Sequence, residues 1–427
     1  MLRTGVVCLH RYQLADGRAC CAQALPVGDR RSYGAPGARC REKGWQDVPD
    51  SLSSENGVDD SNAAATAVRE LLEGVRQGEP LQAGALTLIP LVAASEQVTR
   101  QTGYLPLEEA LRHKLVVIAE QARAQVPELL ATSTAEVPVV LVGGEQVVGG
   151  LQNRVLNTTI LIAALSTLQI PVTCVEAGRW HEERASDDAP TGSGPAEDML
   201  DPDAGHAARR AFTADEAAYA TLRKLHAKSV TGSLSSGGGH RSDQGAVWGE
   251  VAHRMAFTGS YSPSGAMHTL YKTPERANKL KDTVEALRRP EGALGFVAVL
   301  RSDVLGAELF ADEALADAYW QKLVRSYAVE ALDAGERGGD DQGESIGFGE
   351  TRLLEEALAA AVQVHPSPGL GADARLVGSR VSGAGLVHDG AVVHLSLFPE
   401  DGDSGGGPLQ RTQRRYGGHR QASTDDE

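Results

Sequence analysis

The chain lacks a surplus of positive charge: 41 Lys and Arg face 57 Asp and Glu across 427 residues, a formal charge of −16. A polyanionic backbone binds through basic patches, so nucleic acid is not an expected partner. Cysteine is also sparse, five in all, and four of these (Cys8, Cys20, Cys21 and Cys40) fall in the first forty residues without a C-x-x-C pair. Zinc ligands come as closely spaced pairs with a second pair downstream. The four are therefore read as part of an unstructured leader, and no metal or resident cofactor is expected.

Long apolar runs are missing as well. The most apolar stretch, Thr158 to Val175, is interrupted by Gln169 and Pro171 and falls short of the ~20 residues a membrane helix needs. The opening residues show neither the apolar core nor the small-residue cleavage pattern of a secretory signal. No membrane partner is expected, and a cytoplasmic, thiol-reducing setting is the default. Common catalytic signatures are absent too. Gly144 and Gly149 have P-loop spacing with no Lys-Ser/Thr behind them, "GFGETR" lacks a dinucleotide turn's third glycine, and neither G-x-S-x-G nor H-E-x-x-H occurs.

What is present is a globular pattern. Residues 1–60 and 399–427 are polar and aperiodic, with too little apolar surface to offset chain entropy, and are expected to be disordered. From Ser61, the apolar residues Ala64, Val68, Leu71, Leu72 and Val75 recur at helical spacing until Gly78 and Pro80. A series of short β-branched runs follows, among them 85–92, 115–120, 128–133, 137–142, 154–163 and 170–178. Gly143 and Gly144 suit a tight hairpin turn between the runs 137–142 and 146–150.

An acidic loop insertion is read at 181–205. Helices are then announced by a capping box at Thr213 and Glu216, by Ser242, by Thr273-Pro274 and by Asp312. The stretch 292–310 reads as a hairpin, 350–364 as a helix, and 376–388 and 391–398 as closing strands. The expectation is one α+β domain over 61–398, a largely antiparallel β-sheet with helices packed against it, between disordered N- and C-terminal tails.

The polar residues of 149–181 stand out from this apolar background. Period two places Val172, Cys174 and Glu176 on one strand face. Pairing 154–163 with 170–178 about the loop at 164–169 sets Asn157 opposite Glu176 and Arg154 opposite Arg179. Gln152, Arg154, Asn157, Glu176, Arg179 and Trp180 then cluster at one end. Two guanidiniums beside a carboxylate suit a phosphate or carboxylate ligand, and Trp180 suits a base or sugar ring. The same groups also suit an internal ion pair with no ligand. Cys174 is read as a buried core residue before a nucleophile, His181 as the first residue of the acidic loop, and Trp248, one turn after Gln244, as a core anchor. Glu176 and Cys174 are the catalytic candidates, and no reaction follows from them.

"LTLIPL", "VVGGLQNRVLNTTILIA", "IPVTCVEAGRWH", "DQGAVWGEV", "SYSPSGAM" and "GFVAVLRSDVLGAELF" together make residues 66–398 resemble the ARG and Rhodanese-Phosphatase-superfamily-associated Protein domain. The resemblance carries Gln152, Asn153, Arg154, Asn157, Cys174, Glu176, Arg179, Trp180, Gln244 and Trp248 onto the family's motif. Association with ADP-ribosylglycohydrolases and rhodanese-like phosphatases implies a role near ADP-ribose or NAD chemistry. The chain departs from the family in having Thr132 at a strand end, where an Asn is expected, and in its acidic insertion. Two functions follow: binding, with or without processing, of an ADP-ribose-like nucleotide or other anionic small molecule, or a non-enzymatic assembly or scaffold module, including a homo-oligomer, in which the motifs are structural.

Overall fold

The computed structural model describes residues 55–95, 98–120, 127–149, 152–176, 212–262, 265–272, 274–335 and 349–400. Helix α1 (Glu55–Glu73) begins before Ser61 and buries Ala64, Val68, Leu71 and Leu72, the face that the spacing predicts. It ends at Glu73 because the chain is drawn at once into β1 (Val75–Gln77), which pairs with a later strand. Then come β2 (Leu81–Ala83), β3 (Leu86–Ala93), β4 (Leu105–Pro106), α2 (Leu107–Arg112), β5 (Val116–Ala119), β6 (Glu128–Ser133), β7 (Val139–Leu141), β8 (Glu145–Val148), β9 (Arg154–Leu156), β10 (Ile160–Ile162) and β11 (Thr167–Cys174).

The second half holds β12 (Thr213–Ala217), α3 (Ala220–Ser235), α4 (Gln244–Thr258), α5 (Thr269–Lys272), α6 (Pro274–Ala286), β13 (Ala293–Leu300), β14 (Asp303–Leu309), α7 (Glu313–Gly335), α8 (Gly349–Ala359), β15 (Ala361–Pro366), β16 (Ala372–Val377), β17 (Val381–His388) and β18 (Ala391–Pro399). The expected capping box at Thr213 and Glu216 is instead strand β12, paired with β8, and α3 starts after Tyr219. Pairing across a sheet overrides a local capping signal of about 1 kcal/mol. Asp312 does cap α7, accepting from the backbone N–H of Ala314 at 2.8 Å, and Pro274 opens α6.

A nine-stranded antiparallel sheet, ordered β1-β3-β13-β14-β18-β17-β16-β15 with β2 also on β3, forms the centre. Alternation sends Leu91, Val297, Leu309 and Leu395 to one face, where α1 and α8 cover them with Val68, Leu72 and Leu353. On the other face Leu88, Phe296 and Leu305 meet Tyr319, Leu323 and Tyr327 of α7 and Leu280 of α6. Each such side chain contributes roughly 1.5–3 kcal/mol over its exposed state. Two smaller sheets, β12-β8-β9-β11-β6-β5 and β10-β7-β4, enclose a second core around Leu107, Leu129, Leu141, Leu156 and Ile170. The fold is α+β and largely antiparallel, with β4 and β7 the parallel pair among the named strands.

The expected hairpin at Gly143 and Gly144 is a corner between sheets. β7 pairs with β10 and β8 with β9, and the turn is closed by a Glu145 N–H to Val142 carbonyl bond of 3.0 Å. Gly144 takes a φ of +91°, and a Cβ there would lie 2.7 Å from Arg223 Nε. Gly144→Ala is expected to lower stability by about 2 kcal/mol, the cost of strain plus a displaced buried side chain. Chemical unfolding checks this, and a loss under 0.5 kcal/mol would contradict it. Among the described residues no helix is long and apolar enough to cross a membrane.

Candidate functional site

β11 pairs with β6 through Thr167 to Pro171 and then with β9 through Val172 to Cys174. It does not fold back on β10, which leaves for β7. Cys174 therefore lies opposite Arg154 and Val172 opposite Leu156, so the expected pairings of Asn157 with Glu176 and Arg154 with Arg179 are corrected. The sequence pattern could not reveal that β9 and β10 part company between Leu156 and Ile160. Arg179, Trp180, His181 and the acidic insertion lie outside the described residues, as do the first four cysteines.

The expected residues on the described strands do converge. Glu176 Oε2 accepts the Asn153 backbone N–H at 3.1 Å, and the Gln152 carboxamide donates to the Glu176 carbonyl at 3.1 Å. Asn153 reaches His268 Nδ1 at 3.0 Å, and buried Arg154 faces Glu120 with N to O distances of 3.4 and 3.5 Å. Gln244 brackets the strand backbone of Cys174: its Oε1 accepts the N–H at 3.0 Å and its Nε2 donates to the carbonyl at 2.7 Å. The Cys174 thiol donates to Gln152 Oε1 at 3.0 Å, and burial pushes its pKa up. A neutral, enclosed thiol is a core residue and not a ready nucleophile. Trp248 is 37% exposed rather than a core anchor. The buried face of α4 runs through Val247, Glu250, Val251, Arg254 and Met255, and Trp248 falls one position off it.

Asn157 belongs to a different neighbourhood. Its Oδ1 accepts from Thr173 Oγ1 at 2.6 Å and its Nδ2 donates to the His240 carbonyl at 2.9 Å. The next two residues open a buried polar layer on the inner face of the large sheet. Thr158 Oγ1 donates to Asp373 Oδ2 at 2.7 Å, and Arg375 Nη2 grips the same carboxylate at 2.7 Å. Thr159 Oγ1 lies 2.9 Å from His394 Nδ1, and His394 Nε2 lies 3.0 Å from Glu308 Oε2. Arg223 makes a two-point pair with Glu308 at 2.6 and 2.8 Å. Although burial opposes it, the charge of Arg223 and the bond from His394 hold Glu308 at about 2. Arg375 and His240 likewise bring buried Asp373 to about 2.

Gly143, Gly144, Thr159, Arg223, His226 and Ser396 border a cavity of about 20 Å³ in this layer, the room one water molecule needs. His226 is 2% exposed, with no hydrogen-bonding partner at either ring nitrogen among the described residues, and burial lowers its pKa to about 4. None of Thr158, Thr159, Arg223, His226, His240, Glu308, Asp373, Arg375 or His394 is singled out by the motif reading. A usable signal existed: Asp373 and Arg375, and His394 and Ser396, sit two apart in strands whose intervening residues are apolar, which places polar groups on one face.

A third buried set joins the helices. Arg254 pairs with Glu330 and Asp333, each at 3.1 Å, and Arg276 with Asp333 at 2.6 Å. Lys322 pairs with buried Glu145 at 2.7 Å. These pairs lock α7 to its neighbours. Among the described residues no group of three or more His, Cys, Asp or Glu side chains could hold a metal ion.

The family model described as "ARG and Rhodanese-Phosphatase-superfamily-associated Protein domain" matches residues 74–398, from β1 to the last strand. No curated protein and no solved structure matches the chain significantly. The chain belongs to that domain family.

Proposed function

We propose that this member of the ARG and Rhodanese-Phosphatase-superfamily-associated Protein domain family binds a phosphorylated nucleotide of the ADP-ribose or NAD type at the β9 and β11 end, in a reducing, cytoplasmic setting. The observation that carries the reading is the convergence of Gln152, Asn153 and Glu176 on one spot, met by His268, with Arg154 beside it, opposite Cys174 and facing Glu120. An always-charged planar guanidinium suits a diphosphate, and Glu176 and Asn153 suit ribose hydroxyls. Asn157, committed to Thr173 and His240, is dropped from the ribose role. Arg179 and Trp180 keep, on sequence grounds alone, the second phosphate contact and the base.

Thermal melting in ADP-ribose, NAD, AMP and pyrophosphate tests the proposal. A ligand at 100 times its Kd stabilises the native state by about 2.7 kcal/mol. A rise in midpoint with ADP-ribose or NAD is expected in the parent protein and not in Arg154→Lys, which keeps a cation beside Glu120 but loses the fork. Equal rises in both, or none with any compound, would sink it.

One observation favours the scaffold reading: the Gln244 carboxamide both donates to and accepts from the Cys174 backbone, which ties α4 to β11. On that reading Gln244→Ala and Arg154→Lys both lower the melting midpoint and no nucleotide raises it.

A further inference from the structure

We propose that the groove beside the loop Gly238–Arg241 binds a small molecule carrying a hydroxyl close to an anionic oxygen group, a sugar phosphate by class. His240 accepts the hydroxyl and Arg241 pairs with the anion. The site is separate from the nucleotide reading of Arg154 and does not depend on it.

The groove measures about 600 Å³, within the ~300–1,000 Å³ usual for small-molecule sites. The loop forms one wall, and β6 and β11 form the other through Glu128, Leu130, Gln169 and Pro171. His240 is held in three ways. Gly237 and Gly239 take φ values of +77° and +72°, which let the chain turn tightly on either side of Gly238. Asn157 Nδ2 donates to the His240 carbonyl at 2.9 Å. The imidazole Nε2 lies 3.0 Å from Asp373 Oδ2, a carboxylate that is 1% exposed and also gripped by Arg375 and Thr158.

This arrangement fixes the ring's chemistry as well as its place. An ionised carboxylate accepts and cannot donate, so Nε2 carries the hydrogen and Nδ1 is the ring nitrogen that Asp373 does not engage. The imidazole is 12% exposed, and Nδ1 is the nitrogen left for a ligand. A histidine oriented by a buried aspartate is a preorganised hydrogen-bonding group. Arg241, exposed on the same wall, supplies a fork that matches phosphate or carboxylate oxygens. Glu128, across the groove, is a second acceptor for hydroxyls. A hydroxyl acceptor, a cation and a second acceptor around one groove describe a phosphorylated sugar better than inorganic phosphate or an unphosphorylated sugar.

The test uses the full chain with ring-labelled histidine, the His240 resonance being identified by its loss in His240→Gln. Ribose 5-phosphate, inorganic phosphate and ribose are titrated separately. A saturable shift of the His240 signal is expected with ribose 5-phosphate, weakened about tenfold in Arg241→Ala by loss of one charge-assisted contact. Arg241 is exposed, so that variant keeps its fold. Absence of a saturable shift with ribose 5-phosphate, equal affinity in Arg241→Ala, or binding of phosphate alone as tight as of the sugar phosphate would overturn the inference.

Discussion

Replacing Glu308 with glutamine is expected to cost about 3–5 kcal/mol of folding stability, enough to lower the melting midpoint by roughly 10 °C in a domain of this size. Glu308 is fully buried, and its two oxygens accept from Arg223 at 2.6 and 2.8 Å, Tyr327 at 2.6 Å, Ser396 at 2.8 Å and His394 at 3.0 Å. Glutamine turns one acceptor into a donor aimed at other donors and leaves the Arg223 charge without its counter-ion. Breaking one half of a buried pair costs more than the pair contributes, because the survivor stays desolvated. The double variant Arg223→Met with Glu308→Leu removes both charges and should regain most of the loss. Denaturant midpoints, with the slope checked for constancy, read both effects. A loss below 1 kcal/mol in Glu308→Gln, or no recovery in the double variant, would show that the hub is not what joins α3 and α7 to the large sheet.

The same cluster shows why the sequence revealed the frame better than the interior. Periodicity finds elements whose one face is apolar: α1, α6, the β13–β14 hairpin and strands β3 and β6 fall close to where alternation or helical spacing puts them. It fails where a partner far along the chain decides the structure. Thr213 and Glu216 look like a helix cap and are a strand because β8 lies beside them. "RVLNTTILIA" looks like one strand and is two, serving different sheets. The wrong register expected for Arg154 follows from that break.

Of the expected site, the described residues Gln152, Asn153, Arg154, Cys174 and Glu176 lie together because their order in two neighbouring segments already implies proximity, whereas Gln244 is brought to Cys174 from 70 positions away by α4. Glu308, Asp373, His394 and Arg223 come from four distant segments that only tertiary structure brings together. No local pattern announces a salt bridge between residues 85 positions apart.

Acid and base should have opposite effects on two variants. Burial lowers His226 to about 4 from its ordinary 6.5. Between those values the unfolded chain holds the extra proton, so this residue makes the fold less stable as pH falls from 6.5 to 4, by about 3 kcal/mol in all. Glu250 behaves in reverse. Burial, with the charge of Glu330 added and Arg254 opposing, raises it to about 7 from 4.5. The folded chain then holds the extra proton between 4.5 and 7, and stability falls as pH rises through that window by a similar amount, about 3 kcal/mol.

Between pH 4.5 and 6.5 the two contributions run against each other and flatten the parent profile. Glu308 and Asp373, held at about 2, act below that range, since the stability they supply is lost only as pH falls beneath their unfolded values. His226→Gln leaves the Glu250 slope alone, so its stability should decline from pH 4.5 to 7. Glu250→Gln leaves the His226 slope, so its stability should climb over pH 4.5 to 6.5. Denaturant unfolding at constant ionic strength distinguishes the two, and slopes of the same sign would mean that water or a counter-ion reaches one of these buried groups in the folded protein.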